Sequence, residues 1–304
     1  MKKLLGILIL NLLLSTESFA IDITLKKHFN HELTPKPTKD HFVINEEIVR
    51  AGKQSQKFIL THGGCYGEDC IRGSQRSERK LKLYHRSAKK FGKPVYYAWS
   101  IFFPQELKDG WVGAKKVLLG QVKMGGVGLP IWHMYSKGKN LNFRIDHSTI
   151  TGVMNCGPIK FGKWTDIIIK VDYAKEKKSL KDYKTFEVWL NGKYIKKCTH
   201  IYPMVKKKTF KESISSSSGK KGKMNLRYGM YRYNVGSWLM SYNKNPPKDI
   251  KIIVDPDGGE HSVSKPFKLD WEVELPTLII YYDEMRIGKT KDEVDISLQS
   301  KPVD

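Results

Sequence analysis

Apolar and aromatic residues gather in short runs along the chain, and turn-forming residues separate these runs. Runs of this length that are rich in β-branched and aromatic side chains are typical of β-strands. The clearest runs are residues 95–103, 117–124, 141–145, 164–173, 185–190 and 277–287. Asn191-Gly192 lies between the fifth run and residues 193–195, and this pair predicts a tight hairpin because both turn residues must adopt positive φ angles.

Helical periodicity does not extend over more than two turns anywhere in the sequence. Many short strands with turns between them favour an all-β sandwich over alternating βαβ units. Residues 21–304 are expected to form a single domain, since sandwiches reach this size and no internal repeat or domain-scale linker is present. The charged stretch 175–184 and the serine-containing stretch 206–223 are expected to be long loops, the second either a wall over a site or an ordinary loop.

Residues 1–20 have the three-part pattern of a signal peptide. Lys2 and Lys3 precede an apolar run over residues 4–14, and Ser18-Phe19-Ala20 supplies small residues before a cleavage site. The apolar run is shorter than the about 20 residues that a membrane anchor needs. We therefore expect a periplasmic or secreted protein with no membrane anchor, and no cysteine stands at the cleavage site to carry a lipid.

The charge of the chain concerns its partners rather than its fold. Lys and Arg number 54 against 31 Asp and Glu, for a formal net charge of +23. Because an exported protein meets polyanionic glycans, an acidic polysaccharide is the expected partner in preference to nucleic acid. Some of the excess lysines are expected to keep the protein soluble and to have no part in binding. The protein is expected to be a monomer.

The four cysteines are Cys65, Cys70, Cys156 and Cys198. An exported chain permits disulfides, and four cysteines allow three pairings. The short polar turn between Cys65 and Cys70 favours a bridge there, with Cys156–Cys198 as the second bridge. A zinc site is not expected, because the sequence has no C-x-x-C pair and its nine histidines are scattered singly.

Three segments carry polar residues at a spacing of two, which places those residues on one face of a strand. They are Arg76, Glu78 and Lys80 in the first segment, Gln121 and Lys123 in the second, and Arg227, Tyr231 and Tyr233 in the third. Gly229 lies within the third face and is expected to leave room for a ligand. Each pattern alone is also what an ordinary half-exposed strand shows. If the three strands are neighbours, their side chains form the floor of one groove.

These segments resemble the three signature strands of the jelly-roll polysaccharide lyases, a group that includes alginate lyases, glucuronan lyases and heparin lyase I. The resemblance rests on Arg76-Ser77-Glu78, Gln121-Val122-Lys123 and Tyr228-Gly229-Met230-Tyr231-Arg232, in that order. Residues 97–104, 186–192 and 281–287 are similar to the same family. The resemblance implies a concanavalin-like β-jelly-roll sandwich of two curved antiparallel sheets, with the substrate in the concave sheet.

The resemblance also implies a reaction, β-elimination across a uronic acid. The C6 carboxylate must be neutralised, a base must remove the C5 proton, and an acid must protonate the departing O4. The family's carboxylate-binding Gln and Arg match Gln121 and Arg76, and its tyrosine acid, which sometimes also acts as the base, matches Tyr231. Cationic neighbours would favour loss of the tyrosine proton. The expected substrate-binding residues are Glu78, Lys80, Arg227, Arg232, Tyr233 and His133. No cofactor is expected to be required.

Lys123 departs from the family pattern, because many relatives have a histidine two residues after the glutamine. Either Lys123 neutralises the carboxylate while Tyr231 performs both proton transfers, or another histidine supplies the base. His133 and His147 are the nearest candidates. The departure also leaves open a protein that binds acidic glycans without cleaving them. A nucleic-acid or envelope-binding protein is a more distant alternative.

A glycoside hydrolase is a weaker interpretation of the same fold. It would need acids at alternate positions of one strand with two carboxylates about 5 Å apart. Asp270-Trp271-Glu272-Val273-Glu274 approaches that pattern, but it lies outside the signature strands, and a solvated strand edge is expected there. Asp283 is a candidate ligand for a structural Ca²⁺, although ordinary surface charge is its expected role, with Glu284 on the opposite face.

Overall fold

The computed structural model describes residues 29–30, 42–61, 69, 74–87, 94–113, 116–124, 129–148, 150–173, 183–205, 223–232, 252–253, 268–269, 275–299 and 302–303. Its strands are β1 (Phe29–Asn30), β2 (Phe42–Asn45), β3 (Ser55–Leu60), β4 (Gln75–Ser87), β5 (Val95–Phe102), β6 (Val117–Met124), β7 (Pro130–Lys137), β8 (Asn140–Ile145), β9 (Gly152–Pro158), β10 (Trp164–Val171), β11 (Phe186–Leu190), β12 (Lys193–Tyr194), β13 (Lys223–Arg232), β14 (Ile252–Ile253), β15 (Lys268–Leu269) and β16 (Leu278–Gly288). Within these ranges the helical elements are α1 (Lys108–Gly113) and two 3-10 turns, Gln105–Leu107 and Ile296–Leu298.

Two seven-stranded sheets form the body of the fold. The first has the strand order β1-β4-β13-β6-β7-β8-β9, and the second has the order β12-β11-β10-β5-β16-β3-β2. Every strand pair in both sheets is antiparallel. The predicted all-β sandwich of two antiparallel sheets is therefore confirmed.

The core lies between the two sheets, where the inward residues of each strand meet. The first sheet contributes fully buried side chains such as Trp132 and Phe143, and the second contributes Phe58 and Ile167. Because side chains alternate along a strand, the remaining positions of the first sheet point away from this core. We call that side of the first sheet the outer face.

The sequence predicted the central strands better than their neighbours. The run 117–124 coincides with β6, and the other five predicted runs overlap β5, β8, β10, β11 and β16 within about two residues at each end. Strands β2, β3, β7 and β9 were not predicted. They carry weak signals, since β7 begins with Pro130 and β9 contains Gly157 and Pro158, residues that usually mark turns.

The predicted hairpin is confirmed between β11 and β12. Asn191 has a φ angle of 48° and Gly192 one of 74°, the positive values that a two-residue turn of this kind requires. Leu190 pairs with Lys193 across the turn. The turn thus closes one edge of the second sheet.

One of the two predicted disulfides lies in the described part of the chain and is confirmed. Cys156 on β9 is bonded to Cys198, with the two Cα atoms 5.6 Å apart, and both residues are buried. Cys65 and Cys70 lie outside the described residues, as do the signal-peptide residues 1–20, the acidic segment 270–274 and nearly all of the expected loops 175–184 and 206–223. Among the described residues, no helix is long and apolar enough to cross a membrane.

Asp283 and Glu284 are buried, so the expected role of surface charge is wrong for Asp283. The Asp283 carboxylate accepts hydrogen bonds from the backbone N–H groups of Arg50, Ala51 and Glu284, and Glu284 pairs with Arg286. Glu284 has a positive φ of 52° where the pairing of β16 with β5 is irregular, so simple alternation fails there. Among the described residues no three His, Cys, Asp or Glu side chains cluster as metal ligands.

Tyr282 links the two sheets beneath the outer face. It belongs to β16 in the second sheet, but its hydroxyl lies 2.5 Å from the carbonyl of Leu119 and 3.1 Å from that of Gly229, both in the first sheet. The strand ladders are irregular at these two places, between Leu118 and Gly120 and between Tyr228 and Tyr231. Carbonyls at interrupted ladder positions need other donors when buried, and Tyr282 supplies one.

We expect Tyr282→Phe to lower the free energy of unfolding by about 1–3 kcal/mol, because the ring still packs on Phe58 while buried carbonyls lose their donor. Urea denaturation measures the loss. Tyr281→Phe is the matched control, since that residue is adjacent on the same strand and its ring contacts Phe102 outside the main core. An equal loss in the two variants would contradict the proposed bridge.

Candidate functional site

The three polar segments lie on neighbouring strands, as expected from their sequences. Strand β13 runs between β4 and β6 in the first sheet. Tyr231 is opposite Arg76, and Arg227 is opposite both Lys80 and Gln121. Directly opposed residues share a face, with Cβ atoms about 4.5–5.5 Å apart. The three strands therefore form one polar surface.

The polar surface continues through two further residue pairs into β7 and β8, strands that the sequence did not associate with it. Gln121 is opposite His133 on β7, and His133 is opposite Arg144 on β8. The complete row, which we call the central row, is Lys80, Arg227, Gln121, His133, Arg144 and Val153. Sequence neighbours of the row such as Val122 and Trp132 fill the core, so the row lies on the outer face.

Tyr231 stands in a second row on the outer face. The guanidinium carbon of Arg76 lies 4.3 Å from the centre of the Tyr231 ring, and the phenol hydroxyl lies 3.4 Å from Ser74 Oγ. Across β6 the row continues through Leu118 to Tyr135. The Tyr231 hydroxyl is thus on a ring that packs against a cation on the outer face.

Glu78 organises the polar groups between the two rows. It is 1% exposed, and its carboxylate accepts from Gln121 Nε2 at 2.8 Å and from Arg76 Nη1 at 3.3 Å. A second carboxylate, that of Asp69, accepts from Arg76 Nε and Nη2, both at 2.9 Å. Burial alone would lower the pKa of Arg76, but Glu78 and Asp69 outweigh it and raise the pKa. Arg76, expected to bind a ligand carboxylate, is therefore already held by two carboxylates of the protein.

His133 is tied into a chain of polar groups at the other end of the central row. Its Nδ1 lies 3.1 Å from Asp146 Oδ2, and its Nε2 lies 3.0 Å from Lys116 Nζ. The ammonium group of Lys116 can only donate, so in the neutral ring Nε2 accepts from it and Nδ1 carries the proton. Burial lowers the pKa of His133 despite the nearby Asp146, so the ring is neutral at pH 7.

Lys116 is the cation of this chain. Its ammonium group lies 4.2 Å from the centre of the Tyr135 ring as well as beside His133. Burial, together with the positive charge of Arg144, lowers the pKa of Lys116 to about 8, against the opposing effect of Asp146. The structure thus brings a titratable lysine to the outer face.

Two of the other expected site residues lie elsewhere. Arg232 is fully buried and donates to the carbonyls of Thr61 and Pro276, so a substrate-binding role for it is a wrong expectation. It follows Tyr231 directly and therefore points to the opposite side of the strand. His147 contacts the carbonyl of Leu129 outside the two rows. Tyr233 lies outside the described residues.

Lys123 does lie on the outer face, next to the central row. It is opposite Asn225 on β13, one same-face position beyond Gln121. The residues that sequence reasoning missed are Asp69, Lys116, Tyr135, Arg144 and Asp146. The alternation of Arg144 and Asp146 was a usable signal, but strand β7, which joins them to Gln121, was not predicted.

Gly229 has a different purpose from the one expected. Its φ angle is +124°, and a Cβ atom at this position would lie 2.3 Å from the carbonyl oxygen of Ser77 and 2.9 Å from Phe58 Cδ1. The missing side chain admits the backbone of β4 and a core ring, and not a ligand. The expectation of open space here is wrong, because the bulge turns this position towards the neighbouring strand and the core.

The sequence matches the family model described as "Polysaccharide lyase" over residues 22–286. A search of curated proteins gives no match. Among solved structures, the endo-β-1,4-glucuronan lyase of the fungus Trichoderma reesei has a TM-score of 0.54 at 13% identity, covering 89% of this chain and 94% of that one. Alginate lyase A1-II' of family 7 has a TM-score of 0.44 at 12% identity, with 84% and 85% covered. At such identity the likeness concerns the fold, a jelly roll of two antiparallel sheets.

We expect Gly229→Ala to destabilise the protein more than Gly157→Ala does. The two glycines have nearly equal φ angles, +124° and +127°, but a Cβ at Gly157 meets nothing within 4 Å. Gly157→Ala therefore carries the backbone strain alone, about 1–3 kcal/mol, and Gly229→Ala adds the clash with β4. Thermal unfolding of both variants measures the difference. Equal losses would mean that the close approach of β4 is unimportant.

Proposed function

Because the chain belongs to the polysaccharide lyase family, we propose that its substrate is an acidic, uronic-acid-containing polysaccharide, which it cleaves by β-elimination. The observation that carries the proposal is the central row, where Lys80, Arg227 and Arg144 flank Gln121 on one face. Cations and an amide in line across a sheet suit a chain of carboxylates better than a neutral glycan.

In the proposed reaction, Gln121 holds the carboxylate of the sugar that loses its C5 proton. An amide nitrogen has two N–H donors, and Glu78 accepts one of them, which fixes the orientation of the group. Arg227, directly opposite Gln121, and Lys123 on the same strand supply positive charge beside it. Neutralising the carboxylate makes the C5 proton more acidic, which is the first requirement of the elimination.

Tyr231 is the proposed proton donor to O4, and also the base that takes the C5 proton. It is the tyrosine that the family resemblance assigns to this chemistry, and Arg76 lies against its ring. A cation at that distance is attracted to the electron-rich face of the ring and holds the ring in place. Since Asp69 and Glu78 already hold Arg76, we assign Arg76 to positioning Tyr231 rather than to direct contact with the substrate.

The sequence also bears on where the protein works and on what it meets there. The signal-peptide pattern of residues 1–20 supports export to the periplasm or the medium. The formal charge of +23 supports attraction to a polyanion, which for an exported protein is a glycan rather than nucleic acid. We propose that the enzyme acts as a monomer, without a membrane anchor and without a required cofactor.

A panel of polyuronates tests the proposed reaction directly. Alginate, glucuronan and glycosaminoglycans are incubated with the protein, with neutral glucans as the control, and ultraviolet absorbance is followed. Elimination creates a 4,5-unsaturated uronate that absorbs there, whereas hydrolysis does not. Absorbance that rises with at least one polyuronate and with no neutral glucan is expected. Cleavage of a neutral glucan alone, or cleavage without new absorbance, would contradict the proposal.

We expect Tyr231→Phe to lower kcat by about 10²–10⁴-fold, the usual contribution of general acid–base catalysis, and to leave KM within a few-fold. The ring and its contact with Arg76 remain, so the fold should persist. Tyr194→Phe is the matched control, since Tyr194 is exposed on β12 of the other sheet. If Tyr231→Phe keeps a kcat within a few-fold of the wild type, the proton transfers belong to other residues.

A further inference from the structure

Four side chains form a continuous network at one end of the central row. Asp146 Oδ1 accepts from Arg144 Nε at 2.5 Å, while Oδ2 lies 3.1 Å from His133 Nδ1. His133 Nε2 in turn lies 3.0 Å from Lys116 Nζ. One carboxylate therefore orients a guanidinium and an imidazole together, and through the imidazole it is connected to a lysine.

The network is buried at its centre and exposed at Arg144. The side chain of Asp146 is 4% exposed and that of His133 6%, whereas that of Arg144 is 41% exposed. With Nε held by a buried carboxylate, Arg144 presents an oriented guanidinium at the outer face. A guanidinium fixed in this way can bind a carboxylate through two parallel hydrogen bonds.

The charges of the network favour an anion. Arg144 and Lys116 are both cations, Asp146 is the only carboxylate in the network, and His133 is neutral. This excess of one positive charge lies on the outer face of the sheet that carries Gln121 and Tyr231. An anionic ligand would restore the balance at little cost in reorganisation.

The network lies at a fixed distance from the reacting residues. Arg144 is two strands away from Gln121 in the central row, and neighbouring strands are about 4.8 Å apart, which separates the two positions by about 10 Å. Beyond Arg144 the row ends at Val153, which is 62% exposed and gives an apolar surface beside the guanidinium. A polymer lying along the row would place another of its sugars there.

We propose that Arg144, oriented by Asp146 and supported by His133 and Lys116, binds the carboxylate of a second uronate in the chain, outside the sugar that undergoes elimination. The inference rests on the proposed function, and it assigns to this end of the sheet a subsite that recognises repeated charge along the polymer. Arg144 then contributes to binding rather than to proton transfer, and Asp146 is its positioning residue.

The test compares Arg144→Gln with Lys193→Gln on a polyuronate that the wild type cleaves. Each change removes one positive charge, but Lys193 is exposed on β12 of the other sheet. We expect Arg144→Gln to raise KM on the order of 10-fold, with kcat within about twofold, as the loss of charged hydrogen bonds to bound substrate requires. Lys193→Gln should change KM less than twofold. Arg144→Lys keeps the charge but loses the planar pair of N–H donors that a guanidinium offers to a carboxylate. It should give an intermediate KM.

The outcomes separate this inference from the proposed function. A wild type that cleaves no polyuronate overturns the proposed function and this inference with it. A wild type that cleaves polyuronate, together with equal KM values for Arg144→Gln and Lys193→Gln, overturns the subsite alone. A fall in kcat without a rise in KM would also overturn it. If Arg144→Gln does not fold, as judged by circular dichroism, the KM of Arg144→Lys decides by the same comparison.

The pH dependence of kcat/KM tests the role of Lys116, because a purely structural role would not change that dependence. The groups around Lys116 are His133, Tyr135 and Lys137 from β7, Arg144 from β8, and Asp146 directly after β8. Because the pKa of Lys116 is about 8, the network loses one positive charge as the pH rises through that value. We expect kcat/KM of the wild type to fall as the pH rises through about 8, and we expect Lys116→Gln to show no such fall. A step of equal size in both proteins would contradict the role of Lys116.

Discussion

The hydroxyl of Tyr282 is the contact on which the geometry of the outer face depends. It reaches from the second sheet to the carbonyls of Leu119 and Gly229, at the two places where the ladders of the first sheet are interrupted. Without these interruptions, regular pairing would continue from Arg227 to Tyr231, and Tyr231 would not be opposite Leu118. The position of the proposed catalytic tyrosine is therefore set partly by a residue of the other sheet, through the core.

The described carboxylates and cations of the outer face are grouped differently at its two ends. Near Tyr231, Asp69 and Glu78 both accept hydrogen bonds from Arg76, whereas at the other end the two cations Lys116 and Arg144 share the one carboxylate of Asp146. The end of the face that holds Lys116 and Arg144 therefore offers a polyanion positive charge that its own carboxylate does not balance. This arrangement suits an enzyme that uses binding energy at distant sugars to hold the reacting sugar over groups chosen for proton transfer.

Local pattern predicted the sandwich and three of the site strands, because period-two alternation and turn residues are properties of short segments. The same pattern could not predict which strands flank Gln121, since the pairing of β6 with β7 joins residues through a strand that begins with proline. It also could not predict the bulge at Gly229, which depends on the close approach of Ser77 and Phe58. Arg232 was expected in the site because it is a cation next to Tyr231. Side-chain alternation along the strand already placed it on the opposite face, where it is buried.

The position of His133 in the sheet bears on why a lysine can stand at position 123. The family resemblance led us to expect a histidine two residues after Gln121, and the sheet instead places one directly opposite Gln121 on β7. Its Nε2 lone pair is occupied by Lys116, and its Nδ1 lies 3.1 Å from Asp146 Oδ2, so this imidazole is a connector between charged groups. A base needs an accessible lone pair, and His133 in this state does not offer one. This state of His133 supports the proposal that Tyr231 performs the proton transfers and that the histidine serves binding.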